Sequence, residues 1–203
     1  MFTGIIQATC NIVSIEKEVG LWRIGMAFDN SLRDRLKHGA SVAHNGVCLT
    51  VSAVDEQAVY FDVMQETLAV TNLSHIAVGQ VLNIERAMRY GDEVGGHILS
   101  GHVQTCAVLI SRNATKENST LRFEVSPQWM KYILPKGFIA IDGASLTLGG
   151  TGENWFEIHL IPETRQLTTL DTKSVGSEYN IEIDSQTQAI VDTVERVMAA
   201  RLS

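Results

Sequence analysis

Asn45-Gly46-Val47-Cys48-Leu49-Thr50 returns 97 residues later as Asp142-Gly143-Ala144-Ser145-Leu146-Thr147. The same offset lays Thr3-Gly4-Ile5-Ile6-Gln7 on Ser100-Gly101-His102-Val103-Gln104. It also carries Glu66-Thr67 onto Glu163-Thr164, Thr71 and Leu73 onto Thr168 and Leu170, Val78-Gly79 onto Val175-Gly176, and Asn83-Ile84-Glu85 onto Asn180-Ile181-Glu182. One register, kept at four clusters across about 80 residues without a net gap, marks a duplicated domain.

Each copy reads as β. Ser41-Val42-Ala43-His44, the run from Leu49 to Val54, and Ala58-Val59-Tyr60-Phe61-Asp62-Val63 are rich in apolar and β-branched residues, and Asn45-Gly46, Asp55-Glu56 and Asp142-Gly143 supply turns. Strands this short predict an all-β chain with a small barrel or sandwich of about 85 to 95 residues per copy. Brief helical turns are expected over 30–37 and 128–133. The linker is Tyr90-Gly91-Asp92-Glu93-Val94-Gly95-Gly96, which lacks the Lys-Ser/Thr and the βαβ setting of a phosphate-cradling loop. Beyond the second copy, Ser185-Gln186-Thr187-Gln188 has the form of a capping box. Ile190, Val191, Val194, Val197, Met198 and Leu202 follow at helical spacing, and Asp192 can pair with Arg196. This helix either packs on its own barrel or forms a seam between subunits. Its narrow apolar stripe, outside both copies, favours the seam.

Composition excludes several classes. A chain of 203 residues with 45% hydrophobic content can bury a large core, and its net charge of −7 carries no basic stripe for nucleic acid. No run approaches the roughly eighteen apolar residues of a membrane span, and no signal peptide is visible at Met-Phe-Thr-Gly-Ile-Ile-Gln. Cys10, Cys48 and Cys106 are too few and scattered for a disulfide framework, which points to a reducing cytoplasm.

The chemistry shows where the copies diverge: Cys48 against Ser145, Asn45 against Asp142, Ile5 against His102. The first copy holds a soft nucleophile among neutral neighbours. The second holds a hydroxyl, a carboxylate and an imidazole able to move protons near neutral pH. Such a pair of similar but unequal pockets suits a reaction between two identical molecules in different roles. Each residue has a plainer reading: Cys48 as strand filler, His102 as a backbone hydrogen-bonder, Asp142 as a turn residue. Glu66 and Glu163 serve either the fold or a ligand. Cys10 and Cys106 read as core. His97 and His102, five apart, fit no metal motif, so no metal site is expected.

These motifs are similar to those of riboflavin synthase of the α-subunit type. The resemblance rests on the opening Met-Phe-Thr-Gly-Ile-Ile-Gln, Asn-Gly-x-Cys-Leu-Thr-Val at 45–51, Gly-Gly-His-x-x-Ser-Gly-His at 95–102, Asp-Gly-x-Ser-Leu-Thr at 142–147 and Ile-Pro-Glu-Thr at 161–164. It implies two tandem six-stranded Greek-key barrels, over 1–97 and 98–185, and a trimerising helix over 186–203. It also implies an active site between the first barrel of one subunit and the second barrel of another. On that basis Gly4, Ile5, Ile6, Ser41, Cys48, Leu49, Thr50, Asp62, Val63, Met64, Gln65, Glu66 and Thr67 line one pteridine seat. Gly101, His102, Val103, Lys136, Ser145, Leu146, Thr147, Leu160, Ile161, Pro162, Glu163 and Thr164 line the other. The implied reaction is a cofactor-free dismutation of two 6,7-dimethyl-8-ribityllumazines into riboflavin and 5-amino-6-ribitylaminouracil. His102, Asp142 and Thr147 would assist proton transfer, and Ser145 or Cys48 would direct a nucleophile. Which seat holds the donor, and whether lumazine synthase associates, are left open. Position 65 is Gln where the family often has Lys, and position 47 is Val where some members carry a second Cys.

Two other classes compete. A non-catalytic lumazine protein would have eroded second-copy motifs, whereas Ser100-Gly101-His102 and Ser145-Leu146-Thr147 are intact. A flavin reductase would use a nicotinamide, but no dinucleotide fingerprint is present.

Overall fold

The computed structural model describes residues 1–202, Leu202 by its backbone only. Leu202's side chain and Ser203, both within the expected helix, therefore lie outside the described residues. In the first barrel, β1 (Ala8–Glu18), β2 (Leu21–Met26), β3 (Ser41–His44), β4 (Val47–Val54), β5 (Val59–Met64) and β6 (Val81–Arg86) close in the order β1-β2-β5-β4-β3-β6. In the second, β7 (Thr105–Ala114), β8 (Ser119–Glu124), β9 (Phe138–Ile141), β10 (Ala144–Thr151), β11 (Trp155–Leu160) and β12 (Glu178–Ile183) close in the matching order. Asn45 and Gly46 have φ of 45° and 81°, and Asp142 and Gly143 43° and 83°. These left-handed pairs make the tight β3–β4 and β9–β10 hairpins. Register shifts between Ile12 and Ser14 and between Leu109 and Ser111 fall at matching places. Each lets a long strand turn the corner of its barrel. Closure leaves no free sheet edge.

Alternation fills the interiors. Ile24, Val51, Phe61 and Ile84 are buried in the first core, and Leu109, Phe123, Phe156 and Ile181 in the second. The first core also encloses His44, stacked on Phe28 and edge-on to Phe61. The sequence missed α2 (Gln65–Val70) and α3 (Pro162–Leu167), which follow β5 and β11. The turns expected over 30–37 and 128–133 are a short helix, α1 (Asn30–Arg33), and a 3-10 segment, Pro127–Tyr132.

The copies are joined by exchange. Ile6 precedes β1 yet packs in the core of the second barrel, and Val103 precedes β7 yet packs on the first. Between them Gly46 and Gly143 meet so closely that a Cβ on either would sit under 3 Å from the other's backbone. Around this point Asn180 Nδ2 donates to the Asn45 carbonyl at 2.9 Å and Asn83 Nδ2 to the Asp142 carbonyl at 3.0 Å. Asn72 N donates to Asn180 Oδ1 at 2.7 Å, and Thr169 N to Asn83 Oδ1 at 2.8 Å. The bonds come in pairs, as expected of two copies meeting about a local twofold axis.

Three expectations are corrected. The last helix, α4 (Ser185–Leu202), is capped by Asp184 rather than Ser185: Thr187 donates to Asp184 Oδ2 from its N at 2.9 Å and from its Oγ1 at 2.6 Å. Asp192 takes the Tyr132 hydroxyl at 2.5 Å, so its carboxylate turns to the barrel and not to Arg196. Cys106 is not core. Its thiol faces Asn180 Oδ1 at 3.4 Å on the wall of a cleft between the barrels. Cys10 is buried as expected. Asp142 is fully buried in the joint, held by Lys173, by Asn72 Nδ2 at 2.8 Å and by Asn180 N at 2.8 Å. Its carboxylate therefore ties the two barrels together.

Candidate active site

Two buried carboxylates set the geometry. Glu85, on β6, accepts from Thr3 N at 2.6 Å, Thr3 Oγ1 at 2.8 Å and Gly4 N at 3.0 Å. Glu182, on β12, repeats this with Ser100 N at 2.7 Å, Ser100 Oγ at 2.8 Å and Gly101 N at 3.1 Å. Burial pushes both above the usual carboxylate range, against the pull of those donors. Each carboxylate fixes a glycine loop that is then handed to the other barrel. Ser145 N donates to the Gly4 carbonyl at 2.8 Å, and Cys48 N to the Gly101 carbonyl at 2.9 Å. A Cβ at Gly4 would lie 2.5 Å from Ser145 Cβ, and one at Gly101 2.6 Å from Cys48 Cβ. Only glycine permits that approach at these positive φ values.

The exchange re-sorts the seats. Gly4, Ile5 and Ile6 line one pocket of about 210 Å³ with Ser145, Glu163 and Thr164 of the second barrel, and not with Cys48. Gly101 backs onto Cys48, which brings His102 and Val103 to the first barrel. On β4, Cys48 and Thr50 point outward, with Ser41 across from Thr50. Asp62 and Met64 lie outward on β5, Asp62 paired with Arg23 at 2.8 Å, and Gln65, Glu66 and Thr67 open α2. Leu49, Val63 and Leu160 are buried in the barrel cores, so only their backbone edges can reach a ligand. Leu146 packs partly into the second core, while Thr147 is exposed beside it. Ile161 and Pro162 lead into α3 with Glu163 and Thr164, and Lys136 stands exposed in the turn before β9 with φ of 66°.

One functional group was weighed in the sequence only as a metal ligand. His97, directly after the linker, places Nδ1 2.6 Å from Ser145 Oγ. The imidazole is 7% exposed and its Nε2 has no partner within the protein. Burial holds it below the ordinary histidine range, partly offset by the charge of Asp184, so it is neutral near pH 7. A neutral imidazole bonded to a serine hydroxyl can take or return that hydroxyl's proton. In the sequence it stands in the Gly-Gly-His-x-x-Ser-Gly-His motif at 95–102, and in the structure a Cβ at Gly96 would meet Ser145 Oγ at 2.8 Å. The matching contact in the first barrel instead offers the Cys48 thiol with the exposed His102 nearby on the 101–103 segment.

The lumazine binding domain family matches the chain twice, over residues 3–87 and 100–184. The riboflavin synthase of Escherichia coli (strain K12) is 50% identical over 99% of this chain and 95% of that protein. The enzyme of Buchnera aphidicola subsp. Schizaphis graminum is 44% identical over 100% and 98%, and that of Chlamydia muridarum 40% over 100% and 99%. The chain belongs to the riboflavin synthase family. Among solved structures, LumP complexed with 6,7-dimethyl-8-(1'-D-ribityl) lumazine superposes with a TM-score of 0.83, 24% identity, and coverage of 91% of this chain and 100% of that one. That likeness bears on fold alone. Membership of the riboflavin synthase family accounts for both the doubled barrel and the recurrence of its loop motifs. No described helix is long and apolar enough to cross a membrane.

Proposed function

We propose that the chain is a transferase that converts two molecules of 6,7-dimethyl-8-ribityllumazine into riboflavin and 5-amino-6-ribitylaminouracil, one lumazine giving a four-carbon unit to the other. The observation that carries this reading is the inequality of two otherwise matched loop contacts: a His97–Ser145 pair at 2.6 Å where Gly4 meets Ser145, a free thiol where Gly101 meets Cys48. The two substrates contain all the atoms of both products, so no oxidant or external carbon donor is required. The C7 methyl of a lumazine is acidic because its carbanion delocalises into the electron-poor ring. The protein then has to hold two rings together, move protons and direct addition at C7. Orientation alone supplies on the order of 7 to 11 kcal/mol at its limit.

In this reading Ser145, with His97 as its base, directs a nucleophile to C7 of the lumazine in the second pocket. Thr147 borders that pocket. Cys48 and His102 serve the ring in the first pocket, with Ser41, Thr50 and 62–67 around it. Backbone groups at Ile5–Ile6 and Leu146–Thr147 read the pyrimidine edge. Asp142 keeps the barrels in register and moves no proton.

The pockets of one chain do not have to face each other. Ile5, Met64, Ile161 and Leu167, on the pocket rims, are roughly half exposed, as are Ile190, Val194 and Met198 along α4. Exposed apolar surface of this extent supports association, which we read as a homotrimer in which the first barrel of one subunit closes on the second barrel of the next, and the three free thiols fit the cytoplasm. The test is incubation of the purified chain with the lumazine alone. Riboflavin absorbance should grow with an equimolar uracil product. Tight fluorescent binding without product would replace the enzyme with an antenna-like protein, and a requirement for NADPH would also overturn the reading.

A further inference from the structure

Phe138 opens β9 with its ring stacked on the His97 imidazole, centroids 5.0 Å apart and planes 17° from parallel. Its strand neighbours Ile139 and Ile141 enter the second core, so alternation turns Phe138 outward. There it stands opposite Thr147, with Ala140 opposite Ser145 on the same face. The ring remains 50% exposed, an unfavourable place for a phenyl group that served only packing. At the repeat offset the first copy has Ser41, and the described aromatic contacts of that barrel lie inside its core. The divergence thus coincides with the imidazole: the large flat ring occurs in the pocket that has His97.

A histidine's second side-chain torsion is broad and two-fold, so one hydrogen bond leaves the ring free to swing or to exchange its nitrogens. A parallel ring pressed on its face restrains the imidazole plane against swinging. We propose that Phe138 is a positioning residue: it clamps the plane of His97 so that the hydrogen bond of Nδ1 to Ser145 is kept. The clamp is local to the second pocket and gives the two seats different proton-transfer capacity on the same scaffold. This rests on the reading of that pocket as a lumazine seat. Besides Ser145, the charged group acting on His97 is Asp184, at the cap of α4.

The experiment compares the full chain with Phe138→Leu, which keeps bulk but not the flat face, and Phe138→Tyr, which keeps both. Imidazole nitrogen NMR follows the tautomer and titration of His97, and steady-state kinetics with the lumazine follow turnover. Phe138→Leu should mix the His97 tautomers, raise its titration toward that of free histidine, and lower kcat about tenfold with KM changed less than about threefold. Phe138→Tyr should restore all three. Unchanged His97 spectra in Phe138→Leu would overturn the clamp, as would a rise in KM at constant kcat. If the unsubstituted chain makes no riboflavin, the functional reading fails, while the spectra still decide the clamp.

Discussion

At the scale of single residues, the copies act as controls for each other. Ser145→Ala removes the hydroxyl that His97 addresses and leaves the Gly4 backbone contact in place. We expect kcat to fall roughly 100-fold with an unaltered melting transition; steady-state kinetics beside calorimetry would check this. His44 offers a second control, because the offset matches it to Ile141. Desolvation lowers the His44 pKa from 6.5 to about 3. A folded-state value below the unfolded one means that the unfolded chain binds the extra proton. The associated stability is intact above about pH 6.5 and is lost progressively as pH falls toward 3. The loss is about 1.4 kcal/mol per unit, reaching roughly 4 to 5 kcal/mol. His44→Ile should flatten that acid limb in urea titrations between pH 6 and 4; an unchanged slope would assign acid sensitivity elsewhere. Cys48 and Ser145 could be picked from the sequence because they diverge within a repeated motif. His97 could not, because it directly follows the linker and gains meaning only when the linker crosses to Ser145. Asp142 is the converse case. Its position beside a reactive motif was visible, but its burial against Lys173 depends on how two distant hairpins meet.

Among the elements, α4 is the one whose own chain gives it little cover. Its ties to the barrel are the Tyr132–Asp192 hydrogen bond, Lys131–Glu195 at 2.5 Å and the packing of Val191. Deleting residues 186–203 should therefore leave both barrels folded while producing monomers of low activity, measured by sedimentation and riboflavin formation. A fully active monomer would defeat the intersubunit model. Asp184→Ala removes the N-cap, and about 1 kcal/mol of helix stability should go with it, read as a lower melting temperature of the proposed trimer. The helix was legible from its apolar period. Its cap was displaced by one residue because Ser185 and Asp184 are both good caps, and backbone direction chose between them. The helices α2 and α3 were not legible, since six-residue segments show too little periodicity to separate from strand ends.

The whole molecule is held at the joint between its copies. Where the second copy has Asp142 with Lys173, the first has Asn45 with Ile76 at the same offset. The charge and its counter-ion occur together or not at all. Lys173→Met strands a buried carboxylate and should cost about 3 to 5 kcal/mol. The double change Asp142→Asn with Lys173→Ile copies the first half and should recover most of that loss in denaturant titrations. If the double variant is no better than the single one, the ion pair is not the term that matters. By itself the sequence determined the duplication, the β character and the tight glycine hairpins, and singled out Cys48 and Ser145 as candidates, because these follow from local pattern and from a register that a reader can count. Only the tertiary structure decided which loop faces which barrel. The segments before β1 and β7 cross over, so Gly4 meets Ser145 and Gly101 meets Cys48. That pairing follows from close packing of backbones across a local twofold axis, a relation between parts of the chain 53 to 141 residues apart that no local periodicity encodes.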